Sequence, residues 1–128
     1  PVRKDGLWQT TVFELFLAEP GGDQYLEINA SPSGDWNVYS FTSERHGMKE
    51  VSQIKESPIR RFSRSDRNAE MQIEIPCSMF TAGSVEFGAT VIIDWGADKE
   101  YWALKHASDR PDFHKRASFI GRLEPRGF

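Results

Sequence analysis

The sequence predicts an all-β fold, an antiparallel β-sandwich of jelly-roll-like type. Three observations carry this reading. Apolar residues recur with period two along most of the chain. The alternating runs are separated by clusters of Gly, Pro, Ser and Asp that favour turns. No segment shows a convincing 3.6-residue apolar period.

The elements follow in order. From Trp8 to Leu17 the spacing predicts a strand. Its odd positions, Phe13, Leu15 and Leu17, form an apolar face expected to meet the core. Its even positions, Trp8, Thr10, Val12, Glu14 and Phe16, form a mixed face. Pro20-Gly21-Gly22-Asp23 reads as a turn. Tyr25 to Ala30 is the next strand, with Leu26, Ile28 and Ala30 on one face and Tyr25, Glu27 and Asn29 on the other. After the turn signal Ser31–Asp35, Trp36 to Thr42 completes an antiparallel meander. From Ser43 to Asn68 the pattern weakens, and six Arg and Lys fall between Arg45 and Arg64. This stretch reads as a long connection with one short strand near Val51–Ile54. Glu70 to Ile75 alternates again, with Met71 inward. Thr81-Ala82-Gly83 links it to the longest strand, Val85 to Trp95, in which Gly88 marks a bulge or a close approach. Gly96–Lys99 is a hairpin loop leading to a strand from Tyr101 to His106, and Ser118 to Leu123 is the last short strand.

Length and composition bound the rest. The 128 residues suit a single domain spanning 1–128. A 38% hydrophobic chain with 12% aromatic residues is that of a folded globular protein rather than a disordered one. Its 16 basic and 19 acidic residues give a net charge of −3, which disfavours nucleic acid as a partner. No apolar run approaches the ~20 residues needed to span a bilayer, so a membrane partner is not expected. No signal peptide is visible at Pro1–Asp5 and the single cysteine, Cys77, cannot form an intrachain disulfide. Those two features favour a cytoplasmic location, and Cys77 reads as a buried or edge thiol. The first residue is Pro rather than Met, which suggests a processed product or a fragment.

Three segments together resemble a known group: Asp5-Gly6-Leu7-Trp8-Gln9-Thr10-Thr11-Val12-Phe13-Glu14-Leu15-Phe16; Tyr25 to Trp36; and Tyr101-Trp102-Ala103-Leu104-Lys105-His106 with Pro111-Asp112-Phe113-His114. They resemble the bacterial DOMON-like domain proteins, largely uncharacterised, which are similar to family 9 carbohydrate-binding modules. The resemblance implies a sandwich of two antiparallel sheets. Members of the group usually carry further strands before the Leu-Trp motif, and here only seven residues precede Trp8. The expectation is a sandwich lacking N-terminal strands, or one completed by another chain or a second copy through an open sheet edge.

The better known relatives bind sugars or haem. In the sugar binders, two Trp side chains grip one end of the sugar and a Glu assists. The resemblance assigns Trp8 and Glu14 to these roles, and the even spacing separately places both on one face of the expected strand. Trp102 is preferred over Trp95 as the second Trp. Glu27 and Asn29 could add hydrogen bonds from the neighbouring strand, and Arg45 from the connection. A Trp on a sandwich strand also serves simply as packing, and Glu14 could instead pair with a cross-strand cation. Trp36, after a tight turn, reads as structural.

Haem relatives use Met with His or Lys, which makes Met48 with His106 the pair to test. A metal ion could be held by His106, Asp109, Asp112 and His114. Neither cofactor is favoured. No nucleophile elbow, P-loop or dinucleotide fingerprint is present, and no pair of carboxylates is marked out for glycoside hydrolysis. The expected function is therefore a non-catalytic domain that binds a carbohydrate or related small ligand on one sheet face. A haem-binding redox domain or an interaction module are the alternatives.

Overall fold

A computed structural model describes residues 1–81 and 83–124 of the chain. Ala82, in the expected Thr81–Gly83 connection, and residues 125–128 lie outside the described residues. Among the described residues there are nine strands: β1 Val12–Ala18, β2 Tyr25–Ala30, β3 Trp36–Phe41, β4 Lys49–Glu50, β5 Ile59–Arg64, β6 Ala69–Ile73, β7 Val85–Asp94, β8 Lys99–Ala103 and β9 Gly121–Leu123. Three short 3-10 turns, Leu7–Gln9, Cys77–Met79 and Arg116–Ser118, complete the elements. No helix among them is long and apolar enough to cross a membrane.

Seven strands form one sheet in the order β4-β3-β2-β1-β7-β8, with β9 also paired to β7. The strand pairs are antiparallel. The β5–β6 hairpin forms a second, two-stranded sheet. The expected all-β, antiparallel sandwich is thus observed. The meander β1-β2-β3 follows the expected bounds because each run alternates and each ends at a turn with a suitable Gly. Gly21 and Gly34 both have positive φ, 75° and 93°, a region glycine enters at little cost.

The core corrects one expectation. The even face of β1 is the fully buried one, whereas on the odd face, expected to meet the core, Leu17 is buried and Phe13 and Leu15 are half-buried. Leu17 and its neighbour Leu15 pack with Ile28, Trp36, Val38, Val51, Ile54 and Val85, together with Ile59 and Ile73 of the hairpin. The hairpin is the second layer, and its Phe62 ring meets Phe13 edge-on at 6.0 Å. On the opposite face Val12, Phe16 and Ala18 pack with Leu7, Tyr25, Tyr39, Phe41, Ile92, Phe113 and Phe119. Segment 113–119 and the Leu7 turn cover that face, so its apolar residues find partners without a second sheet.

Four further differences have local causes. Trp8 does not extend β1. Gly6 adopts φ 72° and the chain closes a 3-10 turn, with Gln9 N–H donating to the Gly6 carbonyl and Thr10 N–H to that of Leu7. Val51–Ile54 is not a strand. Both apolar residues face the core from a loop whose carbonyls accept from the Arg3 guanidinium. The strand of this region is β5, whose Arg60, Arg61 and Arg64 interrupt any apolar alternation. Of the two readings of Cys77, buried or edge thiol, the buried one does not hold: it is exposed within its short turn.

Gly88 is a close approach and not a bulge. It pairs regularly with Phe16, and a Cβ there would stand 3.3 Å from both Phe119 Cδ1 and the Ser118 carbonyl oxygen. Trp36 is structural: it is buried, with the Arg3 guanidinium carbon 4.5 Å from its ring centroid.

Candidate functional site

A polar stripe crosses the otherwise apolar face of the main sheet. Residues directly opposite in antiparallel strands project on the same side. Thr90 of β7 pairs with Glu14 of β1, Glu14 with Asn29 of β2, and Asn29 with Asn37 of β3. Glu27, two residues along β2 from Asn29, lies diagonally from Glu14. All five are buried; Glu14 is 5% and Glu27 3% exposed. Asn37 is satisfied, donating to Tyr39 Oη at 3.0 Å and to Glu50 Oε1 at 2.9 Å. Neither amide atom of Asn29 completes a hydrogen bond of regular geometry, and Thr90 Oγ1 has no partner.

Two carboxyl groups held together in this setting cannot both ionise readily. Burial raises the pKa of Glu14, and the neighbouring Glu27 charge raises it further. Burial also raises Glu27, opposed by the Asn29 amide and by the carboxyl of Glu14. The Arg45 charge pulls both back only in part. Near neutral pH the pair therefore retains a proton, with Glu14 as its main holder.

These carboxyls form the floor of a pocket of about 360 Å³. Trp8 stands at its side, 38% exposed and edge-on to Tyr39 at 6.1 Å. Phe41 and Ile92 line it from β3 and β7, and Tyr101 from β8. Met48 and Arg45 reach it from the connection after β3, and Pro111, Phe113 and His114 from the segment after β8.

One hydroxyl ties the two rims together. Arg45 sits at φ 58°, a left-handed conformation, and its N–H donates to Tyr25 Oη at 3.0 Å. Tyr25 Oη lies 2.7 Å from His114 Nδ1. When the tyrosine hydroxyl donates to Nδ1, the bond selects one tautomer of the ring. The imidazole proton is then on Nε2, which faces Glu27 Oε2 at 3.7 Å. Burial, and then the Arg45 charge, lower the pKa of His114 to about 4, so the ring is neutral at ordinary pH. The Arg45 guanidinium donates to Asp112 Oδ1 at 2.9 Å. That bond and charge outweigh the burial of Asp112 and hold its pKa below the usual value.

Trp8, Glu14, Glu27 and Arg45, expected from sequence, thus come together in one pocket. Trp8 arrives there from its turn rather than along a strand. Asn29 lies beside Glu14 on the sheet, fully buried. Trp102 is placed elsewhere. It pairs with Val91, on the face shared with Phe13, and is 61% exposed. Its neighbour Tyr101 pairs with Ile92 and faces the pocket. A shift of one residue along a strand exchanges faces, and the Trp102 assignment fell on the wrong side of that alternation.

Tyr101 and Tyr25 were not selected from the sequence, and His114 was raised there only as a candidate metal ligand. Counting back from Gly96 at the β7–β8 turn gives the parity that selects Tyr101; no local signal marks His114. Of the haem pair, Met48 lines the pocket and His106 does not, its ring packing 5.9 Å from Phe113. Among the described residues, no three or more His, Cys, Asp or Glu are grouped to hold a metal ion.

Fold and pocket define a class: an antiparallel all-β domain with an aromatic-walled, acid-floored pocket on its main sheet. No protein-family model matches the chain. It is 30% identical over 121 residues to the UPF0462 protein C4orf33 homolog of Mus musculus, a match covering 88% of this chain and 60% of that protein. Its fold is similar to the crystal structure of a protein from Bacteroides uniformis described as a "putative carbohydrate-binding protein". The TM-score is 0.71 at 17% identity, over 97% of this chain and 65% of that one. The chain thus spans less than two thirds of the length of either protein.

Proposed function

We propose that this is a non-catalytic domain that binds a carbohydrate or related small ligand in the pocket over Glu14 and Glu27, on a fold related to the DOMON-like and family 9 carbohydrate-binding domains. The observation that carries the reading is the convergence of aromatic walls and buried carboxyls, drawn from distant parts of the chain, on one cavity. Trp8 and Tyr101 offer flat faces for the C–H surface of a sugar ring. Glu14, Glu27 and the Nε2 proton of His114 offer hydrogen bonds to its polar groups. The structural likeness to a protein described as carbohydrate-binding agrees with this reading.

The carboxyl arrangement argues for binding rather than hydrolysis. Glycoside hydrolysis sets its two carboxyls on either side of the scissile bond, about 5 Å or more apart. Glu14 and Glu27 instead interact with each other on one floor.

Calorimetric titration with a panel of mono- and disaccharides tests the reading. A saturable response is expected, lost in Trp8→Ala and Tyr101→Ala and kept in Trp102→Ala. Binding that survives both pocket substitutions but disappears with Trp102→Ala would move the site to the opposite face, and silence from the whole panel would remove the carbohydrate.

A further inference from the structure

We infer that the ligand of this pocket carries a protonated primary amine, seated on the Glu14 and Glu27 carboxyls within the aromatic wall. This rests on the pocket assignment above and narrows the chemistry it accepts.

The first support is charge. Arg45 is the guanidinium of the pocket, and it is engaged with Asp112 at 2.9 Å. The group nearest Glu27 from the rim is the neutral His114, at 3.7 Å. The two buried carboxyls therefore share a single guanidinium, already paired with Asp112, whose charge offsets their burial only in part.

The second is donor balance. The floor is made of acceptors, the two carboxyls, and beside Glu14 on the sheet lies the fully buried Asn29, whose carbonyl oxygen has no hydrogen-bond partner. A buried polar atom left unpaired costs about 1–3 kcal/mol. An ammonium group brings three donors and no acceptor, whereas a hydroxyl brings one donor with acceptors of its own. The third is the wall. Trp8, Tyr101, Phe41 and Phe113 present rings around the cavity, and aromatic faces attract a desolvated cation.

Charge conservation then fixes what happens on binding. The free floor holds a proton near neutrality. An arriving ammonium supplies the positive charge that the proton supplied, and that proton passes to the buffer. Both carboxylates are then ionised against the ligand. Of the other titratable and charged groups, Arg45 from the connection, His114 from the far rim and Tyr25 and Tyr39 from the sheet interact with the pair, Tyr101 lines the same pocket, and Glu44 and Asp112 lie beyond, against Tyr25 and His114. His114 is already neutral and Arg45 and Asp112 already paired, so the carboxyl pair is the source of the proton.

The test is calorimetry with glucosamine, glucose and cyclohexylamine, each in a phosphate and a MOPS buffer a little below neutral pH, neither of which brings a primary amine. Glucosamine is expected to bind at least ~10-fold more tightly than glucose, with an enthalpy that changes between buffers because a proton is released. Glu27→Gln and Glu14→Gln should each lower glucosamine affinity at least ~10-fold while melting no lower than the parent, which excludes unfolding as the cause. If cyclohexylamine also binds and glucose does not, the amine inference stands and the carbohydrate reading falls. If glucose equals glucosamine and the enthalpy is the same in both buffers, the inference is overturned and the carbohydrate reading stands. If none of the three binds, both fall.

Discussion

Glu14→Gln should make the protein more stable as the pH rises. Burial raises the folded-state pKa of Glu14 from 4.5 to about 8. The folded chain thus holds this proton more tightly than the unfolded chain does. The stability linked to it is complete below about pH 4.5 and is lost as pH climbs toward 8. At roughly 1.4 kcal/mol per tenfold change in proton affinity, the loss reaches about 3–5 kcal/mol by pH 8, a large part of a domain's net stability. Glutamine has nearly the same shape and never ionises. Its amide can donate to Glu27 as the protonated Glu14 does. The two proteins should therefore differ by about 1 kcal/mol or less near pH 4.5, and the variant should lead by several kcal/mol near pH 8. His114, lowered from 6.5 to about 4, contributes with the opposite slope: stability rises through that window. It is common to both proteins and cancels in the difference. Urea denaturation followed by Trp fluorescence, at a series of pH values, measures the gap. Parallel curves from about pH 5 to 8 would refute the argument, since they would mean that Glu14 ionises in the fold as easily as in the open chain.

The remaining predictions concern the rims. Gly47→Ala should destabilise more than Gly96→Ala. Both glycines have positive φ, 69° and 91°, but a Cβ at Gly47 would stand 2.4 Å from Thr42 Oγ1 while nothing lies within 4 Å at Gly96. The strained backbone alone costs on the order of 1–3 kcal/mol in each, so the excess at Gly47 in a denaturation experiment reads the clash. Tyr25→Phe removes the hydroxyl between Arg45 N–H and His114 Nδ1 and should cost about 1–3 kcal/mol. The same urea denaturation reads the loss.

The β1-β2-β3 meander was legible because alternation and turn chemistry agree there: Tyr25–Ala30 begins and ends where Gly21 and Gly34 permit reversal. Glu14 came from the resemblance, its strand parity agreeing, and Glu27 from sharing the polar face of Tyr25–Ala30 with Asn29. The second layer was hidden because β5 carries three arginines and its burial depends on which face the hairpin lays against the sheet. The covering of the Val12/Phe16 face was hidden as well. Phe113 and Phe119 come from a segment with no period at all, and only the tertiary fold brings them over the sheet. Trp102 shows how narrow the margin is. One step along β8 separates an exposed outer face from the pocket wall, and composition favours the wrong member of the Tyr101–Trp102 pair.

The two carboxyls of the floor sit on β1 and β2, strands that are paired on both sides by β7 and β3. The rims, in contrast, are connections: the turn holding Arg45 and the segment holding His114. Insertion or drift in a connection leaves strand register untouched, whereas moving Glu14 by one position would turn it into the opposite core. The acidity of the pocket is therefore built into the fold, and its outline is left free to vary. Relatives that keep this sheet are expected to differ in the size and shape of what they accept before they differ in its charge.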